Sequence, residues 1–307
     1  PGLLRKIGRP LMIARQGNGK NSLRERCEQS EGTGMFQVGQ ERSRFSQGVA
    51  LFEVIYHATV RNVRKSHANA IAGIFFNMLQ TLMLVLIFYI MYAVLGLRGS
   101  MIRGDFLLYI MSGIFLYMTQ IKTMGAVVGS DGPASPMMQH APMNTFVAIM
   151  SAALSQLYIQ VLSVAVVLYV YHIAFTPITI YDPAGAFGML LLAWYSGLGV
   201  GLIFLSIKPW FPQVAGVGST VYARANMIAS GKMFLANSMP YYMLAFFTWN
   251  PLFHIIDQAR GFVFINYNPH HSNWLYPLLV SVGLMMIGFM GEAYARKHVS
   301  ISWGARR

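Results

Sequence analysis

Apolar residues run through this chain in blocks, and the blocks have the length of a bilayer. About 20 apolar residues in a helix cross the hydrocarbon core, and six segments approach that length: 70–95, 106–128, 145–175, 184–207, 213–235 and 274–294. The pattern predicts an all-α membrane protein with six transmembrane helices. Lys122 interrupts the second segment near its end, and the fifth, which carries Arg224, Asn226 and Lys232, is the weakest by hydropathy. Ahead of the first segment, Val49, Leu51, Phe52, Ile55, Tyr56, Thr59 and Val60 recur at helical spacing, and Arg61, Arg64 and Lys65 close the run. That predicts an N-terminal amphipathic helix over 45–69 lying in the interface, its basic end among anionic headgroups. A soluble helix packed on another element has the same pattern.

Charge then orients the spans. An even number of crossings puts both termini on one side, and 12 of the 23 Lys/Arg precede the first span, while Arg296, Lys297, Arg306 and Arg307 follow the last. Positive residues favour the cytoplasm, so both ends are expected there. Lys208 falls in a predicted cytoplasmic turn, and the external 176–183 loop holds Asp182 and no Lys/Arg; Arg98 and Arg103, also in a predicted external loop, run against the rule. The net charge of +13 is therefore read as topology and not as a nucleic-acid footprint. Only 11% of residues are charged, against roughly 25% in soluble domains, which disfavours a soluble core. The chain divides into a basic, disordered tail (1–44), the interfacial helix (45–69), a six-span domain (70–298) and a cytoplasmic end (299–307). The tail is not read as a secretory signal, because no apolar stretch follows its basic residues closely enough.

Catalytic chemistry is hard to find. There is no G-x-x-x-x-G-K-[ST]; Gly17-Asn18-Gly19-Lys20 and Gly231-Lys232 lack its spacing or its Ser/Thr. No G-x-S-x-G occurs. His57, His67, His140, His172, His254, His270, His271 and His298 form no ligand box, and a lone Cys27 excludes a thiolate cluster within one chain. No catalytic residue, metal site or cofactor is assigned.

Polar residues inside the spans carry more information. Gln156, Gln160 and Ser163 fall at i, i+4, i+7 in the third span; Asn77, Gln80 and Thr81 lie in the first, Thr119 and Gln120 in the second. Such faces avoid lipid, either lining a hydrated passage or bonding neighbouring helices. Tyr89, Tyr92, Tyr109, Tyr117 and Tyr158 offer apolar faces with a hydroxyl for stacking or act as interface anchors, the role expected of Trp194, Trp249 and Trp274. Gly197 and Gly201 form a small-x-x-x-small pair that predicts close helix approach, with the partner helix left open. Arg224 and Lys232 should face the interior, snorkel or pair.

The richest stretch is Trp249-Asn250-Pro251-Leu252-Phe253-His254-Ile255-Ile256-Asp257-Gln258-Ala259-Arg260-Gly261. Asn at the N-cap and Pro at the first position start a helix. Leu252, Ile255, Ile256, Ala259, Phe262 and Val263 make one face; His254, Asp257 and Arg260, at i, i+3, i+6, mark another. Spacing alone reads this as an interfacial helix capping the bundle.

The Asn-Pro-Leu-x-His-x-x-Asp-x-x-Arg stretch, preceded by Ser230-Gly231 and Met239-Pro240, resembles the C-terminal signature of ABC-2 type export permeases, in particular the capsular-polysaccharide and O-antigen exporters. The amphipathic helix, the Arg61/Arg64/Lys65 cluster and a span starting near Ala70 are similar too, and the likeness covers about 49–298. Asp257 stands where the family commonly has Glu, Asn77 lies where relatives often carry Pro, and Lys232 follows Ser-Gly in place of an apolar residue. The resemblance implies the permease subunit of an ATP-driven exporter: a homodimer paired with two ATP-binding cassette subunits that hold ATP and Mg, exporting a polysaccharide or lipid-linked glycan. It implies a coupling loop at 129–144 containing Asp131 and His140, assisted by Arg61, Arg64 and Lys65. Segments 237–247 and 251–264 become re-entrant helices of an external gate formed by Pro240, Asn250, Pro251, His254, Asp257 and Arg260. Asn77, Gln80, Thr81, Tyr89, Tyr92, Tyr117, Gln120, Gln156, Gln160 and Ser163 become candidates for the substrate path. The alternatives are another cargo for the same architecture, such as a drug, lipid or ion, or a multispan glycosyl- or acyltransferase.

Overall fold

The computed structural model describes residues 44–65, 70–94, 105–132, 144–174 and 177–304. All regular structure among them is helical: α1 (Arg44–Lys65), α2 (Ala70–Val94), α3 (Phe106–Val128), α4 (Thr145–Ala174), α5 (Pro183–Ile207), α6 (Pro212–Ala229), a 3₁₀ turn at Ala236–Ser238, α7 (Tyr241–Phe247), α8 (Pro251–Val263) and α9 (Leu275–Gly304). The chain divides into two units after Ala50. Of the first unit only 44–50 are described, and these are helical. The second, Leu51–Arg307, contains every other element.

Among the described residues five helices are long and apolar enough to cross a membrane: α2 over Ala72–Met91, α3 over Phe106–Val128, α4 over Thr145–Ala174, α5 over Pro183–Ile207 and α9 over Leu275–His298. This is the length and composition of a multi-pass membrane protein. The fifth segment, expected as one continuous helix over 213–235, is interrupted: α6 ends at Ala229. Gly231 then takes φ +65°, and a Cβ there would overlap the Phe253 ring. Glycine alone tolerates that left-handed backbone and that approach. Hydropathy missed the break because Met233, Phe234 and Leu235 continue the apolar run past it.

α3 and α5 make the centre. In α3 78% of the span is buried and in α5 56%, against 22%, 28% and 22% in α2, α4 and α9. The Gly197/Gly201 pair packs on α3 of the same chain: a Cβ at Gly197 would overlap the Gln120 carbonyl, and one at Gly201 would lie 2.8 Å from Val127 Cβ. α5 also presses on α9, where Cβ atoms at Gly288 and Gly291 would lie 2.6 Å from Leu202 and 2.8 Å from Ser206. The contacts advance together along all three helices, so α3, α5 and α9 run parallel. The chain must therefore return across the bundle between Ile207 and Leu275. α6, 18 residues long, covers about 27 Å of that return at 1.5 Å per residue.

Caps fix the ends. Asp182 accepts from Ala184 N and Gly185 N at 3.1 Å and starts α5, with Pro183 at its first position. Lys208 Nζ donates to Val128 O at 2.7 Å, placing a cation on the C-terminus of α3. Outward faces are apolar: α2 exposes Phe75, Phe76, Leu79, Met83 and Ile87, and α9 exposes Leu279, Met286, Ile287 and Met290.

Candidate functional site

Two polar regions occupy opposite ends of α3. The first is the broken stretch between α6 and α8. Asn250 caps α8 by accepting from Leu252 N at 3.0 Å, and its amide donates to Ala229 O at 2.9 Å and to Asn226 Oδ1. One side chain thus starts one helix and closes another. Arg260, nearly three turns further along α8, is 1% exposed. Its Nη1 donates to Phe234 O at 2.7 Å and Gly231 O at 3.4 Å, its Nη2 to Lys232 O, and its guanidinium stacks 4.2 Å over the Tyr109 ring. Irregular backbone at membrane depth persists only where its polar groups are satisfied inside protein, and the planar fork of arginine serves three carbonyls of this loop at once. Gly113 leaves room for the fork: a Cβ there would meet Arg260 Nη2 at 3.1 Å. Lys232 is also buried, its Nζ 3.6 Å over the Tyr117 ring and 4.9 Å over Phe88. Of the options of facing the interior, snorkelling or pairing, Lys232 takes the first, its charge resting on aromatic faces. Arg224, by contrast, is exposed.

The rest of the α8 polar face holds down the 264–274 connection. Asp257, 2% exposed, accepts from Tyr267 Oη and from Ser272 Oγ at 2.6 Å; burial pushes the Tyr267 phenol well above its ordinary range, with the adjacent carboxylate acting the same way. Gln258 donates to Ser272 O at 2.8 Å. His254 accepts from Asn273 N at Nδ1, 3.2 Å, and contacts Thr248 O through Nε2 at 2.9 Å. One nitrogen accepts and the other donates, the pattern of a neutral imidazole. Burial pushes His254 below the ordinary imidazole range, opposed by the Thr248 bond and the Asp257 charge. A lowered folded value means the unfolded state takes the proton first. The stability contributed by neutral His254 is complete above about pH 6.5 and is lost as pH falls through the folded value. Hydrogen-exchange protection at Asn273 is expected to fall on acidification below pH 6.5 in the native protein. A His254→Gln variant should lose that pH dependence; identical profiles for the two proteins would refute the assignment.

Most polar residues of the spans bond helix to helix. Asn77 Nδ2 donates to Ser163 Oγ at 3.0 Å and Gln160 Oε1 at 3.4 Å, joining α2 to α4, and Thr81 returns to Asn77 O. Gln120 donates to Ser196 Oγ at 3.1 Å and accepts from Asn226 at 2.9 Å, joining α3 to α5 and α6. Tyr117 Oη donates to Ala223 O at 3.0 Å. In this structure these side chains join neighbouring helices. Tyr89 instead lines an apolar groove of about 610 Å³ between α2, α3 and α4.

The second region is a cavity of about 500 Å³ between α1, the C-terminal third of α3 and the first half of α4. Arg61, Asn62, Lys122, Asp131, Ser151 and Gln156 line it, with Ile121, Val147 and Ile159 as apolar wall. Asn62 Nδ2 donates to Ser151 Oγ at 3.0 Å, and Lys122 Nζ donates to Gln80 Oε1. Here residues assigned to coupling (Arg61, Asp131) and to the path (Gln80, Gln156) come together. Asn62 and Ser151 were missed: Asn62 shares a helix face with Thr59, Ser151 shares none with Gln156, Gln160 or Ser163, and their convergence is tertiary. Arg64 is exposed and outside the cavity. Pro240 and Pro251 precede α7 and open α8. His140 and the side chains of Lys65 and Tyr92 lie outside the described residues.

No family model matches the chain, and no curated protein matches it.

Proposed function

We propose that the chain is the transmembrane permease subunit of an ATP-driven exporter of the ABC-2 type, moving capsular or another cell-surface polysaccharide outward across a bacterial inner membrane. It works as a homodimer with two copies of a separate ATP-binding subunit, where ATP and Mg reside. The observation that carries this reading is the interrupted helix: α6, the Arg260-held loop, α7 and α8 form a short-helix assembly between two long parallel helices. A scaffold needs no such break, whereas a conduit needs irregular backbone beside a path that opens and closes. In this reading α6 and its extension supply the sixth crossing, both termini are cytoplasmic, and α8 stands at the external end. The loop after α3, with Asp131, and the basic end of α1, with Arg61, Arg64 and Lys65, face the ATP-binding partner. Tyr89 and the exposed Tyr158 are the aromatic surfaces on which sugar rings could stack.

The test is purification of the tagged full-length chain from its native membrane in mild detergent, alongside surface glycan measured in cells lacking it. A stoichiometric P-loop subunit in the preparation and loss of surface polysaccharide in the deletion are the expected results. A chain that purifies alone, from cells whose deletion leaves surface polysaccharide intact, overturns the reading and favours a membrane transferase.

A further inference from the structure

The cavity between α1, α3 and α4 has a charge pattern that helix packing does not require. Arg61 and Asp131 line it without an ion pair to any described residue, and Lys122, with three N–H donors, spends one on Gln80. Two cations, one carboxylate and the amides and hydroxyl of Asn62, Gln156 and Ser151 thus share one space of ligand size. An isolated cation at membrane depth is expensive, and a pair of them beside a carboxylate is the complement of a zwitterion.

Position narrows the chemistry. Lys122 lies six residues before the end of α3 at Val128, about 9 Å inward by helix rise. Asp131 lies just beyond that end. α1, which forms the outer wall, exposes Leu51, Phe52, Val54 and Tyr56 as an interfacial helix does. The carboxylate therefore sits at the rim and the deeper cation towards the hydrocarbon, with Ile121 and Ile159 as apolar wall on that side. A phospholipid entering from the leaflet presents its groups in that order: acyl chain, phosphate, then amine outermost.

We propose that this cavity binds a phosphate ester bearing a primary ammonium, the phosphate on Arg61 and Lys122 and the ammonium on Asp131. Depth favours the headgroup of a bilayer aminophospholipid over a soluble phosphoethanolamine ester. The proposal requires only that the chain is membrane-embedded, and stands apart from what it transports.

The test uses the full-length chain in nanodiscs containing equal phosphatidylethanolamine, phosphatidylcholine and phosphatidylglycerol, with retained lipid read by native mass spectrometry. Phosphatidylethanolamine should be enriched about tenfold over each of the others, the ratio expected of one well-placed charged hydrogen bond. Asp131→Asn should erase the preference over phosphatidylglycerol while keeping bound phospholipid. Lys122→Gln and Arg61→Gln should lose bound phospholipid of all three kinds, and Lys122→Arg and Arg64→Gln should behave as the native chain. Equal retention of the three lipids by the native protein overturns the site without recourse to any variant, as does unchanged selectivity in Asp131→Asn. Displacement of the lipid by equimolar soluble O-phosphoethanolamine overturns the lipid source and assigns the cavity to a soluble ester.

Discussion

Arg260→Ala is expected to destabilise the chain by about 3–5 kcal/mol, the range found when one member of a buried charged arrangement is removed. The number follows from what remains behind. The carbonyls of Gly231, Lys232 and Phe234 lose their donor, and each buried group left unsatisfied costs about 1–3 kcal/mol before water or local unfolding relieves it. Tyr109 loses its stacked cation in the same step. The loss should appear as a lower thermal midpoint in detergent and as rapid hydrogen exchange confined first to 230–238. Arg260→Lys should recover little, since one ammonium cannot present the same planar set of donors. A stable Arg260→Ala protein with native protection at 230–238 would show that the loop is held by its apolar contacts alone.

The second large effect is expected at Gly197. A methyl group there overlaps the Gln120 carbonyl, and a clash with backbone has no rotamer by which to escape. Gly197→Ala should therefore cost at least the 1–3 kcal/mol typical of overpacking, and it should also weaken the Gln120–Ser196 and Gln120–Asn226 bonds as α3 is pushed from α5. Gly283→Ala, in α9 with nothing within 4 Å of the added methyl, should be neutral or stabilising by up to about 1 kcal/mol through helix propensity. Thermal unfolding of the two variants side by side decides the matter. Equal midpoints would mean that α5 shifts freely on α3.

These two positions also mark what could be read from the chain before its structure. Gly197 and Gly201 announced a close contact by spacing, because a small residue every four positions makes a groove on any helix; the identity of the helix in the groove depends on topology, and nothing in a local pattern encodes it. The Asn250–Pro251 start of α8 was legible for the same local reason: a cap acts within three residues. Arg260 was visible as one of three polar residues on a face, yet the loop it serves lies 26 to 29 residues away, so its partners were not. The end of α6 was hidden because an apolar scale counts Gly231 as harmless, whereas its left-handed backbone stops the helix. In the lipid-facing helices the sequence did best, since there composition and environment correspond directly. The cavity at Lys122 was least legible, being assembled from three helices whose members were noticed singly and for different reasons.

The parallel packing of α3, α5 and α9 has a mechanical meaning. Three helices joined by glycine contacts, with Lys208 latching the ends of α3 and α5, have little freedom to slide or splay, so a displacement applied just beyond Val128 is delivered along the whole block without being absorbed within it. Compliance is left to the elements around the block: the sparsely buried α2 and α4, and the short α7. A force arriving at one end of this protein thus meets a stiff strut with softer walls, and the walls are where shape can change.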